Sequence, residues 1–286
     1  MDSTTFFWSI VAMLLAGLHI FMNKVVAHEQ RDVAVNGLFS YGVPAFFGGV
    51  MLLWSGIPSD WLWTAIIAAI AGSSHAVGSM FRINALKYID TAVFFPIYKI
   101  VQPTVIIAAG VLWFHEVLSP AQWIGILCGM SVPLLLINST ENKRQRDLKM
   151  GLTLLAVTVC FTALGIALSK IGAESENLVF FLFASQLVGA LISIPLILKN
   201  TEHIKKVLHP KGRDVFLGVI TGLFQFASFY ALLLAFSTGY LSIVFTIHAH
   251  YILIPIFLSV WFYGEHMDLR KFAAVVLSVV AIGLLY

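Results

Sequence analysis

Long apolar runs alternate with short polar stretches along the whole chain. Ten of the runs approach the roughly 20 residues that a helix needs to cross a hydrocarbon core. They cover 4–26, 33–54, 61–81, 91–114, 120–138, 150–169, 178–198, 214–236, 240–263 and 269–286. The longest connectors, 139–149 and 199–213, are charged, and the first divides the chain in two. The pattern predicts an all-α membrane protein of ten transmembrane helices. Five lie in 1–138 and five in 150–286, with 139–149 as a charged linker. The first run, from Phe6 to about Val26, is too long for a signal peptide's apolar region and lacks basic residues before it, so it is expected to stay as a helix.

Two helix starts carry capping chemistry. Ser119-Pro120 pairs an N-cap with proline at the first helical position, and Asp268 caps the last helix in the same way. The offset between Ser119 and Asp268 also superposes the two halves. Under it Glu116 falls on Glu265, Ser79 on Ser228, and Val111–Glu116 (VLWFHE) on Val260–Glu265 (VWFYGE). The chain is therefore an internal repeat. An odd number of crossings per copy inserts the second copy upside down, so the fold expected is two inverted five-helix repeats, with any substrate site between them near the midplane.

Composition supports a membrane setting. Of the chain, 59% is hydrophobic and only 11% charged, against about 25% charged in soluble domains. All 17 Lys and Arg except Lys99 and Lys170 fall at or near the connectors that follow helices one, three, five, seven and nine. Basic residues favour the cytoplasmic side, which would leave both termini outside a cell (inner) membrane. The net charge of +3 is explained by this bias and gives no reason to expect nucleic acid. Cys128 and Cys160 lie inside apolar segments and read as packing residues. Asn138-Ser139-Thr140 matches a glycosylation sequon but falls at a helix end on the predicted inner side.

Lys99 breaks the rule. It lies eight residues into the fourth helix (Thr91 to Lys99), roughly 12 Å deep at 1.5 Å per residue and near the centre of a ~30 Å core. A lysine there costs at least ~2.5 kcal/mol on insertion scales and marks a functional site by default, unless it snorkels to set the helix depth. Pro96 and Pro103 flank it and free backbone carbonyls, which membranes tolerate mainly around cavities. The repeat maps Lys99 onto His248 and Gln102 onto Tyr251, and each pair shares a helix face at i, i+3. These four residues are the leading substrate-binding candidates, joined by Tyr98 in the same segment, His75 on the third helix and Gln225 on the eighth. For His248 alone, a hydrogen-bonded core histidine is an equal reading. Polar pairs such as His19–Asn23, His75–Ser79 and Gln225–Ser228 equally suit bridging between helices.

The 14 acidic residues all lie in connectors or at helix ends. Without a carboxylate in mid-membrane, the pattern disfavours organic cations and favours an anionic, zwitterionic or neutral polar substrate. Proton coupling, where used, would fall to His75, His248 or Lys99. His248 and His250 are two residues apart and point away from each other, so no metal site or cofactor is expected. Gly125-x-x-x-Gly129 and its counterpart Ala274-x-x-x-Ser278 allow close helix packing, either between the halves or in a homodimer, so monomer and homodimer both stay open.

The chain resembles the ten-helix EamA-like members of the drug/metabolite transporter superfamily. The resemblance rests on the five-plus-five repeat and on how each half closes, with WFHEVLSPAQWIGILCGMSVPLLLI (Trp113–Ile137) and YGEHMDLRKFAAVVLSVVAIGLLY (Tyr263–Tyr286). It implies a bundle with a central cavity, moving small molecules by alternating access. The first-helix glutamate of the cation-exporting small multidrug branch is missing. The expectation is a secondary-active transporter of a small polar, anionic or zwitterionic metabolite, embedded in the lipid bilayer. A flippase for lipids or lipid-linked sugars on the same fold is the alternative. A membrane-embedded enzyme is disfavoured, since the helices hold no carboxylate pair, HExxH motif or nucleophile–base arrangement.

Overall fold

A computed structural model describes residues 1–31, 33–89, 91–136, 147–198, 209, 212–264 and 266–286, and only the backbone of 33, 34, 91, 92 and 196–198. The sequon, Glu265, linker residues 139–146 and the basic residues Lys143, Arg144, Arg146, Lys199, Lys205, Lys206 and Lys211 lie outside the described residues.

The described chain is helical throughout. The first half contains α1 (Ser3–His28), α2 (Val33–Ser55), α3 (Trp61–Ala85), α4 (Thr91–Leu112) and α5 (Pro120–Leu135). The second contains α6 (Leu148–Ala173), α7 (Leu178–Leu198), α8 (Gly212–Thr238), a ninth span divided into α9 (Leu241–Ala249) and α10 (Leu253–Tyr263), and α11 (Leu269–Leu285). Eight spans are long and apolar enough to cross a membrane, whereas α5 and α11 are shorter. Exposed Leu53, Trp54, Leu112 and Trp261 leave the outer surface apolar, as lipid contact requires. The protein is a multi-pass integral membrane protein.

The caps form as the sequence predicts. Ser119 accepts the Gln122 backbone N–H at 3.3 Å, while the Gln122 side chain accepts the Ser119 N–H at 2.9 Å. Together they make a capping box ahead of Pro120. Asp268 accepts from the Lys271 N–H at 2.8 Å and starts α11. Asp147 does the same for α6 through the Met150 N–H at 3.0 Å.

The helix contacts follow the repeat. α1 packs along α8 as α3 packs along α6, and α2 packs along α8 as α3 packs along α7. Exchanging each helix for its counterpart in the other half converts one contact into the other, while α2–α7 and α5–α11 map onto themselves. Five crossings per half reverse the second copy, and this exchange is what a pseudo-two-fold axis in the membrane plane produces. Gly125 of α5 sits so close to α11 that an added Cβ would lie 3.1 Å from the Ala281 carbonyl oxygen. The small-residue pattern of α5 thus packs one half against the other.

Two features depart from the predicted spans. α3 continues to Ala85 rather than ending at 81, so Arg82 lies in its last turn instead of a connector. The ninth span is interrupted by a 3₁₀ turn, His250–Ile252. Pro255 explains the break: it has no N–H for the Tyr251 carbonyl four residues earlier, and its ring crowds that carbonyl. A neighbouring helix closes on this point. A Cβ on Gly17 of α1 would stand 2.9 Å from the Tyr251 carbonyl oxygen.

Candidate functional site

Lys99 and the broken ninth span meet across the repeat interface. The Lys99 ammonium donates a hydrogen bond to the Tyr251 hydroxyl. It also lies 3.8 Å from the centre of the Tyr251 ring, where the π-electrons attract a cation. No carboxylate pairs with Lys99 among the described residues. The His248 ring stands 5.6 Å from that of Tyr251. Buried His248 Nδ1 has no hydrogen-bond partner among the described residues.

A crevice opens beside this group, lined by Lys99 and Pro103 of α4, Gly129 and Pro133 of α5, and Thr246 and His250 of the ninth span. His250 Nδ1 donates to the Thr246 carbonyl at 2.8 Å. Its buried Nε2 is unpartnered among the described residues. Gly129 makes room for the imidazole, since a Cβ there would be 2.9 Å from His250 Cε1. Sequence reasoning considered His250 only as a metal ligand and missed it here. The signal available was Gly129, whose need for a small residue the repeat assigned to helix packing alone.

The other candidates separate into two groups. Tyr98 is buried against α6, where its hydroxyl lies 3.5 Å from Thr162 Oγ1 and its ring stacks on Phe94. Gln102, one turn later, is also buried. Neither His75 nor Gln225 makes a hydrogen bond or ring contact with Lys99, Tyr98 or Tyr251 among the described residues. His75 packs on Gly165 of α6, with its Nε2 buried and unpartnered among the described residues. Gln225 is half-buried on α8, which does not pack along α4.

A second polar chain runs from α8 through α1 to α2. His19 Nδ1 lies 3.1 Å from the Thr221 carbonyl oxygen, and Asn23 Nδ2 lies 3.0 Å from His19 Nε2. A carbonyl can only accept and an amide NH₂ can only donate. His19 is thereby held neutral with its proton on Nδ1. Asn36 continues the chain by donating to Asn23 Oδ1 at 2.7 Å. The i, i+4 spacing of His19 and Asn23 reports this bridge between helices. Among the described residues, no three His, Cys, Asp or Glu side chains converge as a metal site requires.

The chain matches the EamA-like transporter family over residues 149–286. It is similar in fold to a solved protein crystal structure with a TM-score of 0.77 at 16% identity, over 99% of this chain and 96% of the other. No curated protein sequence matches it.

Proposed function

We propose that the protein is a secondary-active carrier of a small polar metabolite, anionic or zwitterionic, working by alternating access. Halves 1–138 and 150–286 rock about the site at their interface. Lys99 holds the negative group of the substrate, and Tyr251, His248 and Gln102 shape the space around it. The observation that carries this reading is the Lys99 ammonium, deep in α4 and without a carboxylate partner among the described residues, resting on the Tyr251 phenol supplied by the broken span of the other half. A half-buried cation without a counter-ion is costly, and an anionic substrate supplies the missing charge when it binds. The Tyr251 ring offers only a weak cation–π contact meanwhile, leaving Lys99 able to change partner.

Proteoliposome uptake and counterflow with wild type, Lys99→Ala and Lys99→Gln test the reading. Transport is expected to be lost in Lys99→Ala and reduced by at least roughly tenfold in Lys99→Gln. Wild-type transport by both variants removes Lys99 from the site.

A further inference from the structure

His250 is almost entirely buried, with 3% of its surface exposed. Only one of its two ring nitrogens has a partner among the described residues. Nδ1 lies 2.8 Å from the Thr246 carbonyl oxygen. A carbonyl only accepts, so the ring proton sits on Nδ1. No carboxylate pairs with His250 among the described residues to hold a second proton. The ring is therefore neutral, with a bare lone pair on Nε2. A buried acceptor left unpaired costs stability, so Nε2 calls for a donor from outside.

The ring edge that carries Nε2 turns toward Gly129 of α5. A Cβ added there would stand 3.2 Å from Nε2 and 2.9 Å from Cε1. His250 and Gly129 line the same crevice as Lys99. Two prolines in that lining add to its acceptors. Pro103 has no N–H for the Lys99 carbonyl four residues earlier, and Pro133 has none for the Gly129 carbonyl. The Thr246 hydroxyl, also in the lining, gives its proton to the Ser242 carbonyl at 2.6 Å. The Lys99 ammonium does not fill the gap either, because it is turned to the Tyr251 hydroxyl. The crevice thus sets one ammonium beside His250 Nε2 and two carbonyls deprived of their helical partners.

We propose that His250 is a substrate-binding residue of the Lys99 site, and that the substrate carries a hydrogen-bond donor beside its negative group, placed to fill the Nε2 lone pair. This rests on the anion-binding reading of Lys99 and deepens it. A plain carboxylate brings only acceptors and leaves Nε2 unpaired. A hydroxyl or ammonium on the same molecule donates to it. Hydroxy acids and amino acids share the required chemistry.

The test uses the purified full-length protein and small acids on one frame: propionate and its α- and β-substituted hydroxy, amino and fluoro derivatives. Fluorine is close to a hydroxyl in size but cannot donate. Affinities are read from thermal-shift titrations and checked by counterflow in proteoliposomes. Wild type is expected to bind at least one hydroxy or amino acid roughly tenfold more tightly than propionate, and the matching fluoro acid no better than propionate. The preferred acid identifies the donor and its position. His250→Phe keeps a ring without the lone pair and should abolish the preference while propionate still binds. His250→Gln returns an acceptor oxygen and should keep part of it. If His250→Phe does not fold, His250→Gln carries that arm alone, with an expected several-fold loss of preference. A wild type that binds propionate or the fluoro acids as tightly as the hydroxy and amino acids overturns the proposal. So does a preference that is undiminished in the folded variants. In both of those cases, binding that is lost in Lys99→Ala would leave the anion-binding site standing. A wild type that binds none of the acids overturns the anion reading itself.

Discussion

Glu116 Oε2 accepts the backbone N–H of Ser242 at 3.0 Å, and its other oxygen accepts the N–H of Leu241. A carboxylate near the end of the first half thereby caps the first turn of α9 in the second. Glu116 is buried, and helix N-terminal N–H groups left unpaired in such a place cost stability. Glu116→Ala should destabilise the protein by about 1–3 kcal/mol, read as a lower unfolding midpoint in detergent. Glu116→Gln retains an acceptor oxygen and should lose less. Equal midpoints for wild type and Glu116→Ala would show that the cap contributes nothing.

Lys170, the second basic residue outside the main charge pattern, closes the other side of the same turn. Its ammonium donates to the Gly239 carbonyl at 2.9 Å and to that of Phe236, and it pairs with Glu174 at 2.7 Å. It thus satisfies carbonyls released at the end of α8. Lys170→Met keeps the stem's bulk and removes the donor. We expect a loss of about 1–3 kcal/mol in the same unfolding assay, with Lys99-dependent binding retained in the folded fraction. A binding defect without a stability loss would contradict this assignment.

Gly129 tests the crevice. An added methyl group would press on the His250 ring, whereas the α5–α11 contact is made at Gly125. Gly129→Ala should weaken transport several-fold through a higher apparent KM while changing the unfolding midpoint little. Gly125→Leu should do the reverse, prying apart α5 and α11 and lowering the midpoint. Identical profiles for the two variants would mean that both glycines serve packing alone.

At the end of α1, Glu29 forms a forked pair with Arg213 of α8, with contacts of 2.6 and 3.2 Å, and Arg31 adds a third at 3.2 Å. The hydrogen bonds from Arg213 hold the Glu29 carboxyl below its ordinary value of 4.5, helped by the charges of Arg213 and Arg31. A carboxyl shifted down in the folded state stabilises above the ordinary value, and that stabilisation disappears as pH falls through the lowered one. Unfolding midpoints of wild type and Glu29→Gln should therefore differ by a constant amount from neutral pH down to about 4.5 and converge below it. High salt should shrink the difference, because the pair is exposed. A gap that persists in acid would assign the effect to something other than ionisation.

Much of the fold was legible in the sequence. The ten spans, the caps at Ser119 and Asp268, and the repeat depend on transfer to lipid and on backbone hydrogen bonding. Both are set by residues close together in the chain, so a one-dimensional pattern records them. The burden on Lys99 was legible for the same reason, since depth along a helix is a matter of counting. Which residues meet was not. The cap that Glu116 places on Ser242 and the packing of His75 on Gly165 depend on how each helix is rotated against partners far away in sequence. The repeat paired Lys99 with His248 by number, yet it is Tyr251 that touches Lys99. Pro255 loosens the turn there, and only the packed bundle decides which side chain the break turns toward the interface.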